Sequence, residues 1–211
     1  SILNNYLILN NFKTNKKLVY YPVPKNANTS IKMFLAMHLK IDNKFEYRDD
    51  IPRFKRKLDK YYKKPSISAL LPSYTKFQKV TADYKICIIR NPIERFISAF
   101  ENRILFHKDK RFENLTLDDV INELHRKNFE NKHFLPQSFF LGSDLSYFTN
   151  VYKIRDLKLF EDQINNFFNA KLTIPHLQNK KMKQIQLSKK QLEKLHGIYC
   201  DDFIFLKKIP N

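Results

Sequence analysis

The chain mixes short unbroken apolar runs with longer stretches in which apolar residues return every three or four positions. Leu-Val-Tyr-Tyr-Pro-Val at 18–23 and Ile-Cys-Ile-Ile at 86–89 are of the first kind. Too short for helices and rich in aromatic and β-branched residues, they predict buried strands over Leu18–Val23 and Lys85–Ile89, with a third, shorter one at Val151–Lys153. The second kind predicts helices over Ser30–Lys40, Pro92–Phe106, Thr116–Arg126, Leu159–Phe168 and Ser188–Ile198. In the second of these, Ile93, Phe96, Ile97, Phe100 and Ile104 share one apolar face, with Arg95 and Ser98 as neighbours off it. Thr116 with Asp119 and Ser188 with Gln191 have capping-box spacing. Strands alternating with helices predict an α/β fold, a P-loop-like parallel sheet flanked by helices, with ligands at the C-terminal ends of the strands. At 211 residues the expectation is one domain, 1–211, without repeats.

Two of those strand ends carry chemistry. After the first strand comes Pro24-Lys25-Asn26-Ala27-Asn28-Thr29-Ser30, a polar loop that runs into a helix. Free backbone N–H groups and the positive end of a helix dipole make such a junction a phosphate site. Lys25 adds a full charge, and Thr29 and Ser30 add hydroxyl donors. The loop is not a nucleotide-binding Walker loop, because Lys25 comes at its start and it contains no glycine. The whole chain has only two glycines, Gly142 and Gly197, so Asn26 and Asn28 are the residues expected to take any left-handed positions. The plain alternative is a strand-to-helix turn with Ser/Thr capping.

After the second strand comes Arg90-Asn91-Pro92, then the helix with Ser98 eight positions beyond Arg90. Asn91 is a good N-cap and Pro92 a good first helical residue. A nucleotide-hydrolysing protein usually has Asp at this strand end to hold Mg²⁺. Arginine there binds phosphate directly and bidentately. Lys25 and Arg90 together suggest a doubly phosphorylated ligand held without metal, the alternative being a surface ion pair for Arg90.

These two elements resemble the PAPS-dependent sulfotransferases. Residues 24–31 look like that family's 5′-phosphosulfate loop, which implies that Lys25, Asn26, Ala27, Asn28, Thr29 and Ser30 bind the cofactor. Residues 90–100 look like its 3′-phosphate element, which implies that Arg90 and Ser98 contact the 3′-phosphate. His133-Phe134-Leu135-Pro136-Gln137 is similar to a segment of the carbohydrate-modifying branch. Val151–Leu159 and the amphipathic run after it look like that branch's short strand and helix. Ile174–Lys180 resembles a late loop near the cofactor, and Tyr199-Cys200-Asp201-Asp202-Phe203 resembles the family's C-terminal ending. The likeness spans about residues 18 to 206 and implies PAPS as co-substrate and PAP as product. Two departures stand out. Many relatives of this branch carry a His between the two cofactor elements, but Lys64–Leu70 has none, and Asp156 stands where several have Glu.

The composition adds a strong positive field: net charge +18 and pI ≈ 9.8. Basic clusters lie at Arg53–Lys64, Lys108–Arg111 and Lys180–Lys190. Such a field attracts polyanions, here the bisphosphorylated cofactor and a carbohydrate acceptor such as an acidic polysaccharide. The plain alternative for part of this charge is AT-rich coding, which enriches Lys and Asn without function. No nucleic-acid-binding signature appears, which argues against nucleic acid as partner. No run approaches the length of a membrane span. Residues 1–12 lack the basic start and small-residue cleavage site of a signal peptide, although the initial Ser suggests a trimmed end. Cys87 and Cys200 do not make a disulfide framework, and Cys87 reads as an apolar filler of its strand. No zinc spacing or Mg²⁺-type carboxylate pair is present, so no metal is expected. A bacterial cytoplasmic enzyme acting on a capsule or lipopolysaccharide precursor fits these traits, a Golgi-lumen domain being the alternative.

Sulfuryl transfer needs a base for the acceptor hydroxyl, positive charge on the leaving oxygen and donors to the sulfonate. Lys25 suits the second task. Among the six histidines, His133 is favoured as base, with Glu101 and His107 next. His38 reads as structural, His125 and His196 as helix-end residues, and His176 as a lining of the cofactor pocket. Gln137 is expected to orient the acceptor sugar, and Asp49–Lys79 to form a flap over it. The rival functions are a P-loop-like kinase and a non-catalytic binder of polyanions or nucleic acid.

Overall fold

The computed structural model describes residues 6–38, 77–106, 108, 110–126, 131–176 and 185–209. Most of the expected flap, the stretch 64–70, His107 and the second half of the late loop lie outside the described residues.

Four strands form one sheet in the order β1 (Leu7–Asn11), β2 (Lys16–Tyr21), β3 (Tyr84–Ile89) and β4 (Asn150–Lys153). β2, β3 and β4 run parallel, with Tyr20 opposite Ile86 and Ile88 opposite Tyr152. The α/β class and the parallel core are as the pattern predicts. The exception is β1, an antiparallel edge strand that pairs Leu9 with Leu18. Its alternation is short and interrupted by Asn, so its partner across the Asn11–Lys16 turn, not its own periodicity, makes it a strand. The predicted first strand is also shifted: Pro22 has no N–H for the ladder, and β2 ends at Tyr21.

Central parallel strands are covered on both faces, which is why their sequences read as continuous apolar runs. Leu18, Tyr20, Ile86 and Ile88 point to one face. There they pack with Ile31, Phe34 and Leu35 of α1 (Asn28–His38) and with Phe160 and Ile164. Val19, Tyr21, Cys87 and Ile89 point to the other, against Phe140, Leu141 and Phe148. Cys87 is fully buried, and its burial pushes the thiol pKa well up, in keeping with a filler role.

A third apolar cluster lies beyond the C-terminal ends of the strands. Phe96, Ala99 and Phe100 of α2 (Pro92–Phe100) meet Val120 and Ile121 of α3 (Leu117–His125), Phe134, and Leu195 of α6 (Lys189–Ile198). Between α3 and α6 in sequence come α4 (Gln137–Leu141) and α5 (Leu157–Phe168). Both predicted capping boxes are formed, at Thr116–Asp119 and Ser188–Gln191. The sequence pattern joins residues 92–106 into one helix, whereas the backbone changes at Glu101 from α to a wider π turn over Glu101–Phe106. The pattern also misses α4 and α7 (Cys200–Lys207). α4 is a little more than one turn, too short for periodicity to register.

Candidate functional site

The loop between β2 and α1 is held from the inside. Asn26 is fully buried, and its Nδ2 donates to the Ile88 carbonyl of β3 at 2.8 Å and to Gln137 Oε1 at 2.7 Å. With the asparagine side chain committed to the core, the left-handed backbone falls on its neighbours: Lys25 has φ 71° and Ala27 φ 56°. This corrects the expectation that Asn26 and Asn28 take those positions. Asn28 instead opens α1, where its Oδ1 accepts from the Tyr20 hydroxyl at 3.2 Å. Left-handed conformations cost L-residues about 1–2 kcal/mol each. They persist where surrounding contacts impose them, which is most often at binding sites. A turn of this kind gathers successive N–H groups into an anion-binding concavity. Thr29 is exposed and Ser30 half-buried in the first turn of the helix.

Arg90 follows β3 directly. Its N–H donates to Gln137 Oε1 at 3.0 Å, and its carbonyl accepts from Gln137 Nε2 at 2.8 Å. Its guanidinium reaches the loop, with Nη1 donating to the Lys25 carbonyl at 3.1 Å, and Nε lies 3.6 Å from Glu94. Asn91 caps α2 as predicted, accepting from the N–H groups of Ile93 and Glu94, with Pro92 first in the helix. Ser98 is half-buried on the same helix, and its carbonyl accepts from the Glu101 N–H.

Arg95 does not lie on the helix surface. It is 1% exposed, with Nε donating to the Pro24 carbonyl at 2.8 Å and Nη1 to the Leu135 carbonyl at 2.6 Å. One side chain thus ties the Lys25 loop to the His133–Gln137 segment. Gln137 is 1% exposed and engaged by Asn26 and both backbone groups of Arg90. This corrects its expected role toward the acceptor sugar: its amide is spent inside the protein. The segment is braced from the C-terminus as well. The Asp202 carboxylate accepts from the N–H groups of Gln137 and Ser138 at 2.8 and 3.0 Å, and the Tyr199 hydroxyl donates to the Phe134 carbonyl at 2.8 Å. The two motifs noticed separately in the sequence are one hydrogen-bonded unit.

The electrostatics converge on Lys25. Burial and the charges of Arg90, Arg103 and Arg95 lower its pKa to about 8, while Glu101 acts the other way. The same cations bear on His133. Burial, Lys132, Arg103, Lys25 and Arg95 bring its pKa down to about 3, so the imidazole is neutral at physiological pH. Glu101 is pushed up by burial, against the pull of Lys25 and Arg90. The structure therefore brings together Lys25, Arg90, His133 and Glu101 from the sequence candidates. It adds Arg95 and Arg103, which sequence reasoning missed as members of the site. Arg95 had a signal, a second arginine in the first turns of the helix that follows Arg90. Arg103 had none, because its direction is set by the π turn. His176 is exposed, His38 packs on Phe34 and Phe168, and His196 stacks on Phe203, off the cluster. Among the described residues no group of three or more His, Cys, Asp or Glu is placed to hold a metal ion, and no helix is long and apolar enough to cross a membrane.

A cationic centre at the C-terminal ends of β2 and β3, with a left-handed loop on one side and a capped helix on the other, can hold a polyanion and stabilise negative charge on a leaving oxygen. Neither the curated proteins nor the solved structures contain a match to the chain. The family model described as the sulfotransferase family matches residues 11–207, from the last residue of β1 to the last residue of α7. With its cationic centre inside that span, the chain belongs to the sulfotransferase family and is an enzyme of sulfuryl transfer.

Proposed function

We propose that the protein transfers the sulfuryl group of PAPS to a hydroxyl of a carbohydrate acceptor and releases PAP. The observation that carries this reading is the gathering of Arg90, Arg95 and Arg103 around Lys25, whose ammonium is lowered to about 8 by burial and then by these three charges. Like charges gathered in this way are relieved by a ligand with several negative charges. The backbone of 25–30 suits the 5′ side of PAPS, and Arg90 and Ser98 suit its 3′-phosphate. When bound, PAPS supplies an activated sulfonate whose leaving group is a phosphate oxygen. Lys25 suits the task of steadying that oxygen. Arg95 and Gln137 keep the loop and the strand end in register, so the donors are preorganised. The acceptor proton needs a base, and His133 and Glu101 compete for that part. Arg90 in place of a Mg²⁺-binding Asp weighs against a kinase.

The carbohydrate acceptor rests on the likeness of His133–Gln137 to the carbohydrate-modifying branch and on the +18 charge, which favours an acidic polysaccharide. A capsule or lipopolysaccharide precursor in a bacterial cytoplasm is the setting we favour.

Calorimetric titration with adenosine 3′,5′-bisphosphate (PAP), against ATP with Mg²⁺, tests the donor site. Micromolar binding of PAP and weak binding of ATP are expected. In Arg90→Ala, PAP affinity falls by about 100-fold or more, the loss of a charged bidentate contact, while the thermal melt stays cooperative. Preference for ATP would return the kinase reading, and salt-sensitive binding of any polyanion without PAP selectivity would return the non-catalytic binder.

A further inference from the structure

The π turn at the end of α2 begins with a carboxylate, that of Glu101. Both oxygens of Glu101 are shielded from solvent and have no hydrogen-bond partner among the described residues. Its charge acts on Lys25 and Arg90, yet it forms no ion pair with either. A buried carboxylate normally takes the nearest guanidinium or N–H. One left bare beside cations keeps its lone pairs open to a proton from an incoming group. The backbone explains the placement. The Glu101 N–H is shared between the carbonyls of Ile97 and Ser98, and the helix widens from this residue on. Such π turns recur at functional sites because they redirect side chains. Glu101 follows Ser98 by three residues, so the two lie on the same side of the helix.

We infer that Glu101 is the general base of the sulfuryl transfer, its unpartnered carboxylate taking the proton of the acceptor hydroxyl. The assignment rests on the PAPS reading above. The acceptor O–H bond breaks as its oxygen bonds to sulfur. The sulfur–oxygen bond to phosphate breaks, and its electron pair leaves on the phosphate oxygen beside Lys25. The proton passes from Glu101 to solvent. The alternative base, His133, has the wrong charge balance. On taking a proton it becomes a cation among Lys25, Arg95, Arg103 and Lys132, and the same surroundings already hold its pKa at about 3. Glu101 becomes neutral on taking a proton, the direction that burial favours. His133 is left as a neutral positioning group, its backbone N–H fixed by Asn131 Oδ1 at 3.0 Å.

Glu101→Gln, Glu101→Asp and His133→Asn separate these roles, with PAP affinity read by calorimetry and conversion of PAPS to PAP read with heparosan, desulfated chondroitin and water as acceptors. In Glu101→Gln, removal of a negative charge beside the ligand tightens PAP binding by about three- to tenfold, while turnover falls by about 100-fold or more. Glu101→Asp keeps wild-type PAP affinity and part of the turnover. His133→Asn loses less than about tenfold. Unchanged PAP affinity in Glu101→Gln, or a larger turnover loss in His133→Asn than in Glu101→Gln, overturns the assignment and leaves the donor site standing. Failure of the unaltered protein to bind PAP overturns the PAPS reading and the base with it.

Discussion

Lys25 shows how much of this site rests on single side chains. A buried ammonium beside three guanidinium groups gives up its proton readily, and its pKa stands at about 8. An anion bound against it favours the charged form, so binding above that pH takes up a proton. PAP affinity is therefore expected to stay level up to about pH 8 and to fall by about tenfold per unit above it, a profile that Lys25→Arg flattens in calorimetry. On the role proposed for it, Lys25→Ala removes the cation that steadies the leaving oxygen and is expected to lower turnover by about 100-fold or more, read as PAPS conversion. These residues are legible in the sequence because each is a charge at a predicted strand end. The conformation of Lys25 is not. The rule that Asn takes left-handed positions assumes a free side chain, whereas that of Asn26 is claimed by Ile88 and Gln137 from elsewhere in the chain.

At the scale of elements, the short helix α4 depends on parts far away. Its first two N–H groups are bound by Asp202 of α7, and its C-terminal Gly142 has φ 75° and donates to Ser138. Asp202→Ala leaves one buried and one half-buried N–H group unsatisfied, and a loss of about 2–4 kcal/mol of stability is expected in urea denaturation. Gly142→Ala strains the backbone, and its Cβ would lie 2.6 Å from Phe77 Cδ1. The same denaturation is expected to show a loss of at least about 1–2 kcal/mol. α2 reads clearly from sequence because its N-cap, first-turn Pro and apolar stripe are local signals. Its π continuation does not, because the apolar spacing through Ile104 suits an ordinary helix and only the packed backbone shows the wider turn.

For the whole molecule, the net charge of +18 makes long-range attraction part of the function we propose. Binding of an acidic polysaccharide such as heparosan is expected to weaken by about tenfold or more between 50 and 300 mM salt, because surface charges are screened over a shorter distance. PAP binding changes less, because its cationic centre is partly buried. Affinity for heparosan independent of salt, measured by the same titration, would remove the charge argument for an acidic acceptor.

The sequence by itself determined the α/β class, the parallel core strands, the two anion elements at their ends and the family they resemble. Those are local signals: a continuous apolar run, a cap, a charge at a fixed offset. Only the tertiary structure decided that Asn26, Arg95 and Gln137 are buried connectors and that Tyr199 and Asp202 brace the His133–Gln137 segment. It also decided that Glu101 and His133 converge on Lys25. Each of these depends on partners about 40 to 110 residues apart in sequence. Hydrogen bonds and Coulomb interactions act through space, and that proximity is fixed only when the sheet and its flanking helices close around the site.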